Sequence, residues 1–339
     1  MKHRVLLTTI ALLAVVTLAA QEQSGVSSQS GASFQSGVEL INVTATVTDG
    51  DGRFVSGLRK EDFRVYEDGE LQEITHFNSD RSPVSLGIAL DTSGSMTSDK
   101  MSAARAAIDR FVYDLLESAD ELFFLQFANR PHVIQEWTTD RRAISRAVAR
   151  VLPAGGTALY DAIAESIPVA SIGQHAKKAL LVISDGNDTN SRLGVKELRG
   201  LIRESEVLVY ALGVDGTAPV ARSTPTIQLP PFPFPIPRRG PQRRFPIGGS
   251  SANRARTRAE RVNADALRQI TDDTGGRTEV VRGFAGLEGA TARLADELSK
   301  QYYLGYASPG KNDGRWHDIR VEVRDRGLAV RARRGYLAS

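Results

Sequence analysis

The side chains with the clearest capacity for chemistry are oxygen donors on small turns. Asp91-Thr92-Ser93-Gly94-Ser95-Met96 follows the nearly continuous apolar run Val84 to Leu90 and offers one carboxylate and two hydroxyls, with Gly94 to permit a tight bend. Thr157 stands after Gly155-Gly156, just before a helical pattern, and adds a hydroxyl. Asp185, in Ser184-Asp185-Gly186, ends a second apolar run and adds a carboxylate. Carboxylate and hydroxyl oxygens are hard ligands, suited to Mg²⁺. The bland alternative is a set of helix caps, with Ser98 or Asp99 capping one helix and Thr157 the next. Capping and metal binding are compatible.

Other chemistries fare worse. The chain has no cysteine, which excludes a disulfide framework, a thiolate zinc site and an iron–sulfur cluster. Its five histidines are His3, His76, His132, His175 and His317, and none lies in a motif that would activate Ser93 or Ser95; His132 comes nearest but falls at the start of a strand. Thr92 to Met96 is not a Gly-x-Ser-x-Gly elbow. A phosphatase with Asp91 as nucleophile would want a second Asp where Ser93 stands. The expectation is therefore that the protein is not an enzyme, with a hydrolase the least favoured alternative. Asp185-x-Asn187-x-Thr189-Asn190, with Asp188 inside it, lacks the Gly and distal Glu of an EF-hand loop and reads as a polar loop. Asp49-Gly50-Asp51-Gly52 reads as a turn, and Asp161 as a helix or rim residue.

The elements that must position these donors alternate. Strands are expected at 84–90, 122–127, 133–137, 179–184, 207–214 and 278–281. Helices are expected at 100–117, 141–151, 158–172, 195–204, 264–271 and 287–300. Such alternation implies a mainly parallel sheet with helices on both faces, and ligands of such sheets gather beyond the carboxyl ends of the strands. Residues 38–80 are all β: Val43, Ala45 and Val47 alternate with threonines, and Phe63 to Phe77 reads as one hairpin through Asp68-Gly69. Residues 301–339 return to β, with strands at 301–306, 317–324 and 328–336. Neither β segment can bury a core alone. The expectation is that the two pair into one β-sandwich with the α/β unit inserted between them, the alternative being two separate sheets packed on that unit.

The set Asp91-x-Ser93-x-Ser95, Thr157 and Asp185 resembles the metal-ion-dependent adhesion site (MIDAS) of von Willebrand factor A-type (VWA) domains. Chain order, the Val-Tyr-Ala-Leu-Gly-Val strand and the Thr274-Gly275-Gly276 turn fit as well, over about residues 81–300. Asn42 to Asp49 and Glu61-Asp62-Phe63 look like a bacterial secreted group of such proteins. The resemblance implies a Rossmann-like α/β domain and an Mg²⁺ site, with Mn²⁺ or Ca²⁺ as alternatives. It implies that Ser93 and Ser95 hold the metal directly, that Thr157 does so when ligand is engaged, and that Asp91 and Asp185 act largely through water. Only neutral protein oxygens would then touch the ion, leaving it electrophilic toward an Asp or Glu of a protein partner. The function this implies is metal-dependent binding in adhesion or assembly, against an alternative of a cell-envelope scaffold with a structural metal.

Residues 1–20 read as a signal peptide: Lys2 and Arg4 precede 15 apolar or small residues ending in Ala19-Ala20, shorter than the ~20 a membrane span needs. The expectation is export to the periplasm or the exterior, with no membrane span after cleavage. Residues 21–37 read as a disordered Ser/Gln/Gly-rich leader. Residues 216–261 interrupt the α/β unit with nine of the 14 prolines, so neither a helix nor a central strand is expected there. The same stretch carries nine arginines and one acid, while the whole chain is only +3, so the remainder is mildly acidic and not built to bind nucleic acid.

Overall fold

The computed structural model describes residues 38–215, 262–309 and 313–338. The expected signal peptide, leader and Pro/Arg-rich insertion lie outside the described residues. The chain begins with β1 (Val38–Thr48), β2 (Phe63–Glu67), β3 (Glu70–Gln72) and β4 (Ile74–Asn78). The α/β part follows as β5 (Val84–Asp91), α1 (Ser98–Arg110), β6 (Glu121–Phe127), β7 (Pro131–Thr138), α2 (Arg141–Arg150), α3 (Leu159–Ser171), β8 (Lys177–Ser184) and α4 (Val195–Glu204). It continues with β9 (Leu208–Asp215), α5 (Ala264–Thr271), β10 (Thr278–Arg282) and α6 (Gly283–Ser299). The chain closes with β11 (Tyr302–Pro309), β12 (Trp316–Val323), β13 (Ala329–Ala332) and β14 (Gly335–Leu337).

The central sheet runs in the order β10-β9-β8-β5-β6-β7. All neighbours are parallel except β7, which pairs antiparallel with β6. Every residue of β5 is buried, as expected of a strand covered on both faces. One face packs Met101, Ile108, Ile144 and Leu294 from α1, α2 and α6. The other packs Leu159, Ile163, Leu198 and Leu267 from α3, α4 and α5. The first helix is regular only to Arg110 and widens into a π turn over Phe111–Leu115, in which Phe111 and Val112 stay buried. From β5 the chain steps to β6 on one side and later returns to β8 on the other. That reversal opens a crevice between the carboxyl ends of β5 and β8.

Two antiparallel sheets, β13-β1-β11-β4 and β14-β12-β2-β3, share one apolar core that includes Val43, Val65, Leu304, Ile319 and Tyr336. Each sheet mixes strands from both ends of the chain, so the α/β unit is inserted in a β-sandwich. Two sequence expectations are corrected here. The supposed second hairpin strand breaks at Glu73: β3 pairs with β2, and β4 crosses to pair with β11 of the facing sheet. The supposed strand 328–336 also breaks, with β13 on β1 and β14 on β12. A chain that changes sheets must leave one ladder and satisfy its backbone elsewhere. At the second break Arg334 N–H donates to Asp273 O (3.3 Å) and Arg334 O accepts from Ile319 N–H (2.8 Å). Among the described residues, no helix is long and apolar enough to cross a membrane.

The sandwich is joined to the α/β unit through buried charge. Glu297, in the last turn of α6, has no accessible surface. It accepts from Thr46 Oγ1 of β1 (3.2 Å) and Tyr210 OH of β9 (2.9 Å), and it pairs with Arg277 (3.1 Å) and with Arg331 of β13. Asp273 gathers Arg199 and Arg203 of α4 at 2.8 and 2.9 Å, with Arg334 beyond them at 4.0 Å. Removing one partner of a buried pair leaves the others uncompensated, at about 3–5 kcal/mol. Glu297→Ala is expected to lower stability by about that amount and to split a single calorimetric unfolding transition into two. A single transition moved by less than about 1 kcal/mol would remove Glu297 as the coupling group.

Candidate metal centre

The carboxyl ends of β5 and β8 lie side by side, and the turns that carry the five donors are tied together around them. The register pairs Leu90 with Ile183, so the next residues, Asp91 and Ser184, emerge side by side. Asp91 has no accessible surface. Its Oδ1 accepts from Ser93 N–H (2.8 Å) and its Oδ2 from Ser184 Oγ (2.6 Å), while Ser184 Oγ accepts from Gly186 N–H (3.0 Å). Asp185 is equally buried. Its Oδ1 accepts from Asn187 N–H (3.2 Å), and its Oδ2 has no hydrogen-bond partner among the described residues. Lys100 Nζ of α1 stands 3.9 Å from that oxygen. Ser93 Oγ and Ser95 Oγ lie 2.9 Å apart, so two neutral oxygens are already at ligand spacing.

Thr157 reaches the group through its loop. Gly94 N–H donates to Gly155 O (2.9 Å) and Ala154 N–H to Thr92 O (2.8 Å), which ties that loop to the Asp91 turn. On its other side, Thr157 O accepts from Thr189 N–H (2.9 Å) and Asn190 N–H (3.0 Å), and Thr157 N–H donates to Thr189 Oγ1 (2.9 Å). The Thr157 loop is thus held between the Asp91 turn and the loop after Asp185. Thr157 and Ser93 are buried and Ser95 is half-buried. The close approaches need glycine at two places. Gly155 has φ +81°, and a Cβ there would lie 2.6 Å from Asn129 Nδ2; Gly186 has φ +75°, and a Cβ there would lie 2.8 Å from Asn263 O. Gly94 differs from expectation: its φ is not positive, and a Cβ would meet only Gly155 O, at 3.4 Å.

The capping alternative is also revised. No side chain caps α1 at Thr97, and the first N–H groups of α3 are not capped by Thr157. Leu159 N–H donates to Asp188 Oδ1 (2.9 Å), and Tyr160 and Asp161 N–H donate to Ser191 Oγ (3.0 and 3.2 Å). Asp161 in return accepts from Arg192 and Leu193 N–H. The loop read as merely polar is therefore what fixes α3 beneath Thr157. Sequence reasoning read Asp188 only as a polar-loop residue and missed Ser184, Lys100 and Asn129, whose Oδ1 accepts from Gly156 N–H (2.7 Å). Ser184 adjoined a named donor. Its pairing with Asp91 depends on strand register, which the sequence does not state.

A second group of metal-type donors, Glu67, Asp68 and His317, sits in the sandwich. Both ring nitrogens of His317 already face carboxylates, Asp68 at 2.7 Å and Asp313 at 3.1 Å. Both nitrogens of the ring are thus already engaged with carboxylates of the sandwich.

Burial pushes the Asp91 carboxyl up to about 6, and the charge of Asp185 adds to the rise, while hydrogen bonds from Ser184 and Ser93 hold it back. An acid raised from 3.8 in this way lowers stability as pH climbs past its unfolded value, and the penalty is complete above about 6. In EDTA, Asp91→Asn is expected to gain on the wild type between pH 4 and 6, by up to about 3 kcal/mol. Urea melts at pH 4 and pH 7.5 measure this; an equal gap at both pH values would show that Asp91 is ionised without penalty.

Residues 86–187 match the family profile described as the von Willebrand factor type A domain. No curated protein sequence matches the chain. Among solved structures, BatB from Bacteroides thetaiotaomicron is similar at 23% identity over 64% of this chain and 98% of that one, with TM-score 0.45. A von Willebrand factor type A protein from Catenulispora acidiphila is similar at 14% identity over 88% of this chain and 72% of that one, with TM-score 0.46. The vWF domain of the type V pili tip protein Mfa5 from Porphyromonas gingivalis is similar at 14% identity over 63% of this chain and 94% of that one, with TM-score 0.38. The profile match thus identifies residues 86–187, from β5 to the loop after β8, as von Willebrand factor type A sequence, set within a mostly parallel six-stranded sheet flanked by helices.

Proposed function

We propose that the chain is a protein-binding module, acting outside the cytoplasm in adhesion or assembly, whose α/β domain holds a divalent cation and through it a carboxylate of a partner protein. The observation that carries the reading is Asp185 Oδ2, a fully buried carboxylate oxygen with no hydrogen bond among the described residues. Its one recorded counter-charge, Lys100 Nζ, stands beyond hydrogen-bond reach at 3.9 Å, so the oxygen is left able to accept a closer cation. The adjoining strand, β5, ends in a second buried carboxylate, Asp91, and the turn after it carries the hydroxyl pair Ser93 and Ser95. That donor set is all oxygen and fits Mg²⁺, with Mn²⁺ or Ca²⁺ as alternatives. Ser93, Ser95 and Thr157 would hold the ion, with Asp91 and Asp185 supplying charge behind them. The ion's chemistry there is that of a Lewis acid toward an external carboxylate.

The hydrolase alternative gains nothing from the geometry. Ser93 Oγ and Ser95 Oγ face each other, and the rings of His76, His175 and His317 bond Thr75, Ala119 and Asp68 instead. The scaffold alternative draws on the charged junction around Glu297 and Asp273.

An immobilised full chain is expected to capture a protein from its native cell envelope in Mg²⁺ and to release it in EDTA. Asp91→Ala is expected to abolish capture while keeping a wild-type circular dichroism spectrum. Capture that persists in EDTA, with only the melting temperature lowered, would favour the scaffold instead.

A further inference from the structure

Lys100 is the third residue of α1. Its side chain is 9% exposed, and its ammonium stands 3.9 Å from the same Asp185 oxygen that no hydrogen bond reaches. Its neighbours Met101, Ala103 and Ala104 are packed in the apolar core. An ammonium stays charged among such neighbours only when an opposite charge compensates it. Asp185 supplies that charge, and the adjoining strand β5 ends in the second carboxylate, Asp91.

We infer that Lys100 is a tethered cation that shares the Asp185 carboxylate with the divalent ion, so that it weakens uptake of the ion and leaves the loaded centre positively charged. The inference rests on the metal-binding reading above and names what regulates that site. Asp91, Asp185 and Lys100 together carry one net negative charge. A divalent ion turns this to one net positive charge, and a partner carboxylate brings it to zero. With a neutral residue at position 100 the loaded centre would be neutral, and an acidic ligand would leave it negative. An ammonium and a divalent ion drawn to one carboxylate repel each other; at an effective dielectric of about 20 this changes affinity by at least about tenfold. Lys100 also gives the two buried carboxylates a counter-charge when no divalent ion is bound.

The test uses the full chain as wild type, Lys100→Met, Lys100→Gln and Lys100→Arg. Each is titrated calorimetrically with MgCl₂, and each is melted in EDTA. The Met and Gln variants are expected to bind Mg²⁺ about tenfold or more tighter than wild type while melting at a lower temperature in EDTA. Lys100→Arg keeps the charge and is expected to stay near wild type in both. A residue that merely packs the helix would lower the melting temperature and leave affinity unchanged. Equal or weaker Mg²⁺ binding by both neutral variants, with wild type binding normally, would overturn the role of Lys100 alone. No Mg²⁺ binding by wild type or by either neutral variant would overturn the metal-binding reading and this inference with it. If the Met variant fails to fold, the Gln variant decides.

Discussion

Two carboxylates without accessible surface lie at the ends of adjacent parallel strands, and the surrounding turns supply the donors that hold them there. Asp91 is held by donors from Ser93 and Ser184, and Asp185 by one backbone N–H on one oxygen and an ammonium near the other. Burying a carboxylate is unfavourable unless a cation or a proton joins it; burial is what raises the Asp91 carboxyl, and the charge of Asp185 adds only a minor part. The positive φ of Gly155 and Gly186 lets the backbones crowd around this point. Asp188 and Ser191 fix the start of α3, so the Thr157 loop cannot drift from it.

The sandwich solves a different problem with the same materials. Each β segment is too small to stand alone, and the structure interleaves them so that four strands from each end build a single core. The inserted α/β domain then enters and leaves through neighbouring strands, and α6 delivers Glu297 to the junction. There a buried carboxylate is surrounded by two arginines, a tyrosine and a threonine. Buried networks of this kind specify one arrangement more than they add stability. The junction is thus the place where the orientation of the two parts is set.

Much of this was legible in the sequence because burial leaves a strong mark. The runs Val84 to Leu90 and Ala179 to Ser184 announce strands covered on both faces, and the alternation of Val43, Ala45 and Val47 announces one covered on a single face. The five oxygen donors could be named because each follows an apolar run or precedes a helix. What was not legible depends on partners distant in sequence. The breaks at Glu73 and at Arg333-Arg334 arise because strands change sheets, which local alternation does not encode. Lys100 looks like an ordinary helix lysine until the fold sets it against Asp185. Asp188 and Ser191 read as loop residues until α3 is placed beside them. Gly94 was assigned a conformational role that its backbone does not need.

The central claim is that the Asp91–Asp185 crevice is a divalent cation site. Crystals of the full chain grown with MnCl₂ test it most directly, through anomalous scattering at the manganese edge. The account expects one dominant anomalous peak within bonding distance of Ser93 Oγ and Ser95 Oγ, with the carboxylates of Asp91 and Asp185 behind it. Manganese bound elsewhere with none in the crevice, or Lys100 Nζ found bridging both carboxylates in saturating Mn²⁺, would contradict it.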